Sequence, residues 1–194
     1  MLPTVSALLR PLAEVDDRGV HGDDGSYSTW RQHIQAGADL AALLRARLSP
    51  DRPPHVGVLM GNTPRFCELL VAAGLSGIVL VGLNPTRRGA ALRRDIDHAD
   101  CQVVLTDTDL AGTDVVDVNS AQWQSELAGF AGSPVTFADS MPEDLFMLIF
   151  TSGTSGEPKA VRCTNEKVAG PGVMLAESAF SINHSRLTGW PAFT

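Results

Sequence analysis

Apolar residues recur along this chain in two alternating rhythms, and that alternation predicts its architecture. Trp30, Ile34, Ala38, Ala41, Leu44 and Leu48 stand at the spacing of one helical face. Thr29 followed by Gln32 forms a capping box at the head of that stretch, and Ser49-Pro-Asp-Arg-Pro-Pro54 stops it. Gly37 weakens the helix without abolishing it. Trp30, on the apolar stripe, is assigned to the core. The rhythm then changes: His55 to Met60 reads as a strand. Thr63 caps the next helix, with Pro64 in the first turn, where a missing N–H costs nothing. Gly74 is placed to end that helix in the left-handed conformation.

The same alternation continues. Ile78 to Val81 is a β-branched apolar strand, Arg88 to His98 a helix and Cys101 to Thr106 a strand. Val115 to Val118 reads as a short strand and Ser120 to Leu127 as a helix. Asp144-Leu-Phe-Met-Leu-Ile-Phe150 is a buried strand, and Ala160-Val161 begins another. Asn165 is positioned to cap a helix containing Val168, Val173, Met174 and Leu175, which Gly170-Pro171-Gly172 would interrupt. Residues 1–27 carry two turn-like clusters, Asp16-Asp-Arg-Gly and Gly22-Asp-Asp-Gly, and read as a surface segment. Ala131-Gly-Ser-Pro134 and Asp139-Ser-Met-Pro142 mark a linker. Strands alternating with helices give the α/β class: a mainly parallel sheet flanked by helices, joined by right-handed crossovers.

Composition narrows the function. A chain of 194 residues with 44% hydrophobic and 19% charged residues buries about 70% of the surface its unfolded form would expose. A net charge of −7 argues against nucleic acid, which is bound through basic patches. Arg87, Arg88, Arg93 and Arg94 read as a solvated helix face, as do Asp95 and Asp97. Cys67, Cys101 and Cys163 lack paired spacing and fit reduced cytoplasmic thiols; for Cys67 and Cys101 core packing is the expected role. The five histidines show no metal-ligand spacing with one another or with the cysteines, so no metal ligand is assigned. His98, near a helix end, is expected to answer the helix dipole or to pack against a neighbour. The mainly apolar run from Leu69 to Leu83 is too short to span a membrane and is broken by Gly74, Ser76 and Gly77. Peripheral membrane contact stays compatible with the sequence.

The chemistry concentrates in one segment. Phe150-Thr-Ser-Gly-Thr-Ser-Gly-Glu-Pro-Lys-Ala-Val161 holds four hydroxyls, two glycines and a lysine within nine positions. Glycines let successive backbone N–H groups turn inward around an anion, hydroxyls add rotatable donors, and an ammonium supplies a point charge. It is not the common nucleotide loop, because Pro158 precedes Lys159 and Ala160 follows it. A strand on each side would hold it in a fixed shape, unlike a flexible turn. Pro158 stiffens its exit.

The segment resembles the phosphate-binding motif of the AMP-forming adenylate superfamily. Val56-Gly-Val-Leu-Met-Gly-Asn-Thr-Pro-Arg-Phe66, Gly77-Ile-Val-Leu-Val-Gly-Leu-Asn-Pro-Thr86 and Cys101-Gln-Val-Val-Leu-Thr-Asp107 agree with its amino-terminal order. Thr86-Arg-Arg-Gly-Ala-Ala-Leu92 with Pro158-Lys-Ala160 is most similar to the long- and very-long-chain acyl-CoA synthetase branch, also called fatty-acid-transport-like. The resemblance covers roughly residues 25–176. It implies an acid–thiol ligase that joins a fatty or steroid side-chain acid to ATP as an acyl-adenylate, then to coenzyme A. It also implies Mg²⁺, and it assigns Thr151, Ser152, Gly153, Thr154, Ser155, Gly156 and Lys159 to the β- and γ-phosphates. Glu157 is expected to point away from the triphosphate, and Asn84-Pro85-Thr86 to lie near the substrate region.

Two departures qualify it. Asn165 stands where the family usually has histidine, and residues 177–194 stop following the family pattern. The expected organisation is a truncated AMP-binding domain over 1–176 and a divergent tail over 177–194. The motifs that supply the adenine pocket, a magnesium-binding glutamate and a catalytic lysine cannot be placed here, so no catalytic residue is assigned. Two alternatives remain beside the ligase: a non-catalytic nucleotide- or partner-binding remnant prone to self-association, and one half of a split ligase.

Overall fold

The computed structural model describes residues 3–22, 25–108, 115–151 and 159–174. The chain opens with helix α1 (Val5–Leu9), whose Thr4 side chain accepts from Ala7 N, and a turn of 3₁₀ helix. A two-stranded hairpin follows, β1 (Gly19–His21) and β2 (Tyr27–Thr29). Then come α2 (Trp30–Arg47), β3 (His55–Leu59), α3 (Pro64–Ser76), β4 (Val79–Gly82), α4 (Gly89–His98) and β5 (Val103–Thr106). β6 (Val116–Asp117), α5 (Ala121–Ala128), β7 (Leu145–Thr151) and β8 (Lys159–Thr164) complete the order, with residues 165–174 forming α6.

In the opening segment Asp16, Asp17 and Arg18 are exposed as expected, but the residues before them are not a plain surface stretch. Both of its elements are short and lack a helical period, so no pattern announced them. Leu9 of α1 is buried against Ile34, Ala38, Val71 and Leu75. Gly74 explains why. A Cβ there would stand 2.8 Å from atoms of both Leu9 and Val5, so the bare backbone is where α1 seats on α3. Gly74 therefore does not end α3. Gly77 does, at φ 74, in the left-handed region that only glycine enters freely.

The capping box of Thr29 and Gln32 is present, and Thr63 caps α3 by accepting from Phe66 N. Gly37 lets α2 and α3 close on each other: a Cβ there would sit 2.4 Å from Val71 Cγ1. Trp30 is only half-buried at the head of α2, whereas Trp123 of α5 is fully buried. Pro171 does not interrupt α6, which runs through 174. The helix forgoes the bond from residue 171 to the carbonyl of 167.

The main sheet has the order β6-β5-β3-β4-β7-β8. All neighbours pair in parallel except β7 and β8, which are antiparallel. β3 crosses to β4 on one side, and β4 then crosses back to β5 on the other side of β3. Right-handed crossovers in opposite directions put the intervening helices on opposite faces. The core divides accordingly. Leu40, Leu44, Val56, Leu69, Leu80 and Trp123 fill the α2, α3 and α5 face; Val81, Leu83, Leu92, Ile96, Leu148 and Phe150 fill the α4 face. Burial of each such side chain is worth roughly 1.5–3 kcal/mol. A bulge between Leu145 and Met147 lets both Phe146 and Met147 reach the first of these clusters.

Candidate functional site at the carboxyl edge of the sheet

β7 and β8 pair residue by residue up to Phe150↔Ala160 and Thr151↔Lys159. The backbones of Thr151 and Lys159 therefore stand side by side at the mouth of the segment 152–158. That is the flanked-loop arrangement expected from the apolar runs. Ser152, Gly153, Thr154, Ser155 and Gly156, with Glu157 and Pro158, lie outside the described residues, as does the 177–194 stretch.

The hairpin is fixed at both ends. Phe150 is buried against α4, its ring edge-on to His98 at 6.2 Å between centroids. His98 thus packs against a neighbour, one of the two roles expected of it. At the base, Asn165 N donates to Asp144 O at 2.9 Å, and Asn165 Nδ2 reaches the same carbonyl at 3.3 Å. Asn165 Oδ1 accepts from Val5 N at 3.1 Å. Asn165 was expected to cap its own helix; it is instead the first residue of α6 and caps α1 across the fold. Its amide supplies both the acceptor and the donor that these neighbours need.

The parallel pairing of β4 with β7 reaches Gly82↔Ile149. The turn after β4, Asn84-Pro85-Thr86, therefore lies beside the exit of β7. Asn84 Oδ1 accepts from both Thr86 N (2.9 Å) and Thr86 Oγ1 (2.8 Å). Arg87 Nε lies 3.2 Å from Asp95 Oδ2. Asp95 is wholly buried, which corrects its assignment to a solvated face. Arg87 is part-buried with it, while Arg88, Arg93, Arg94 and Asp97 are exposed as expected. The contact is an ion pair without good hydrogen-bond alignment at Oδ2. It ties the turn after β4 to α4.

A crevice of about 250 Å³ opens where loops leave the sheet in opposite directions, lined by Leu59, Met60, Gly61, Pro85, Arg88, Asp107 and Thr108. Gly61 N donates to Asp107 Oδ2 at 3.2 Å across its floor. Such crevices outside the carboxyl ends of strands, at a reversal of strand order, are where open α/β sheets bind ligands. Sequence reading placed none of the crevice residues except Pro85 near a site. The signal that could have found them is the strand order, which residues alone do not specify.

Of the cysteines, Cys101 is half-buried and its thiol is pushed up to about 12, first by burial and then by the Asp100 carboxylate, with Arg52 opposing. A thiol held protonated is a packing group and not a nucleophile. No group of His, Cys, Asp and Glu able to hold a metal occurs among the described residues, and none of their helices is long and apolar enough to cross a membrane.

These features define an open, doubly wound α/β domain extended by an antiparallel hairpin at one edge. The chain belongs to the AMP-binding enzyme family, whose pattern matches residues 11–187. It is 56% identical over 179 residues to the medium/long-chain-fatty-acid–CoA ligase FadD17 of Mycobacterium marinum, covering 90% of this chain and 35% of that protein. It is 40% identical over 167 residues to the steroid-22-oyl-CoA synthetase of Rhodococcus jostii, covering 79% of this chain and 30% of that one. The chain thus spans about a third of the length of these relatives. Among solved structures it superposes on VinN in complex with L-aspartate at a TM-score of 0.69 and 25% identity, over 84% of this chain and 48% of that chain. An ATP-bound RpMatB–BxBclM chimera shares the fold at a TM-score of 0.73 and 20% identity, over 91% of this chain and 38% of that one.

Proposed function

We propose that this chain is the phosphate-binding part of an AMP-forming acyl-CoA synthetase acting on medium- to long-chain fatty acids. The observation that carries the reading is the hairpin register. Thr151 and Lys159 pair directly, so both ends of the segment between them are held together on the β7–β8 stem. Thr151, Ser152, Gly153, Thr154, Ser155, Gly156 and Lys159 would then hold the β- and γ-phosphates of ATP, and Mg²⁺ bound with the nucleotide would neutralise part of the triphosphate charge. When the acid's carboxylate oxygen bonds to the α-phosphorus, the bond to pyrophosphate breaks. Fixed donors around the leaving charge are the main catalytic aid such a loop gives. Coenzyme A is the third substrate: its thiol sulfur bonds to the acyl carbon as AMP leaves.

The substrate class rests on likeness to the two ligases above. The body of the domain spans 1–176, and 177–194 is a divergent tail. Because the larger part of those relatives has no counterpart in these residues, the full reaction is proposed for the chain joined to such a part. The test is a chimera in which these residues replace the equivalent third of the Mycobacterium marinum ligase. It should release pyrophosphate with a long-chain acid, ATP and Mg²⁺. A soluble, folded chimera that does so only with a steroid side-chain acid would reassign the substrate, and one inactive with both would refute the ligase reading.

A second reading is favoured by one observation. Ile149 and Val161 pair across β7 and β8 and are 40% and 47% exposed, with Val168 of α6 close behind at 39%. An apolar strip at a sheet edge is a site of association. It fits a chain that binds a partner, such as the other part of a split ligase, or that binds nucleotide without turnover.

A further inference from the structure

A second cavity, of about 350 Å³, opens between the β1–β2 hairpin and the first turns of α2 and α3. It shares no lining residue with the crevice or with residues 151–159. Among the described residues, Glu68 is the one carboxylate in its lining, and no lysine or arginine lines it. Glu68 Oε2 meets Arg65 Nη1 at 2.5 Å, whereas Oε1 has no hydrogen-bond partner among the described residues. Tyr27, its ring tilted against His21 at 4.7 Å, gives the cavity an aromatic wall.

His33 is the second polar feature. The residue is only 6% exposed, and its ring stands edge-on to Trp30 at 6.0 Å between centroids. No hydrogen bond satisfies its ring among the described residues. His33 is one of the residues that line the cavity. Burial lowers the pKa of His33, so the neutral ring offers one donor and one acceptor.

We propose that this cavity binds a small ammonium-bearing molecule with an aromatic or short aliphatic body and a second hydrogen-bonding group. The ammonium donates to Glu68 Oε1, the body lies against Tyr27, and the second group meets the ring of His33. The cavity's volume is at the low end for small-molecule sites, which limits the ligand to about the size of an amino-acid decarboxylation product. The inference stands apart from the ligase reading and does not depend on it.

Tyramine is the probe, titrated into the 194-residue chain while the His33 Cε1–Hε1 resonance is followed by ¹H–¹³C correlation NMR. The expected result is a saturable shift with a Kd at or below about 1 mM. Glu68→Gln, and separately tyrosol (the same body with a hydroxyl for the ammonium), should each bind about tenfold more weakly. No saturable shift up to about 10 mM overturns the proposal. So does equal affinity of tyrosol and tyramine, a comparison made on the parent chain that stays decisive if Glu68→Gln does not fold.

Discussion

Two side chains set the residue-scale energetics near the candidate site. Asp95 has no exposed surface, while its partner Arg87 keeps 23% of its side chain in contact with solvent. The two halves of the pair are therefore unequal. Arg87→Met strands a buried carboxylate and should cost about 3–5 kcal/mol, the range for breaking a buried pair. Asp95→Asn leaves an arginine that can turn to water and should cost about 1–2 kcal/mol. Urea unfolding of both variants at neutral pH checks the order; an equal cost would mean Asp95 is solvated after all. His33 gives a pH prediction. Its folded pKa lies below the unfolded value, so the unfolded chain binds more protons, and stability falls as pH drops through 6.5 toward the folded value. His33→Gln should therefore lose less stability than the parent between pH 7.5 and about 5.5 in urea titrations. Parallel losses would sink that account. Neither property was legible in the sequence. Asp95 lies eight residues beyond Arg87, and only the turn after β4 folding back on α4 brings them together.

At the scale of elements, the caps were legible and the glycines were misleading. Thr29 with Gln32 and Thr63 with Pro64 each begin a helix where their chemistry places one. These signals are local, so no tertiary contact is needed to read them. Gly74 and Gly77 differ only in what surrounds them, and a sequence cannot show that α1 needs the space above Gly74. Gly37 and Gly170 give the matching test. Alanine at Gly37 gains helix propensity but drives a Cβ into Val71, and should cost about 1–3 kcal/mol net. Alanine at Gly170 meets nothing within 4 Å in α6, and should stabilise by up to about 1 kcal/mol. Thermal or urea unfolding separates them by sign. Stabilisation by Gly37→Ala would contradict the close packing of α2 on α3.

On the scale of the molecule, the alternation of strands and helices was readable because each element carries its own period. The order β6-β5-β3-β4-β7-β8 was not, because it depends on the direction of each crossover. The candidate site divides in the same way. Its hairpin was visible as two apolar runs around a donor-rich segment, whereas the crevice beside it emerges only from the strand order. The sheet places the exit of β7 next to the turn after β4, and α4 and α1 hold that hairpin from above and below. The central claim is that this stem presents residues 151–159 to a triphosphate. Calorimetric titration of ATP·Mg²⁺ into the ligase chimera, comparing the parent with Lys159→Ala and Gly153→Val, measures it most directly. Binding weakened about tenfold or more in each variant, a loss of about 1.4 kcal/mol, is the predicted result. Undiminished affinity in both folded variants would contradict it.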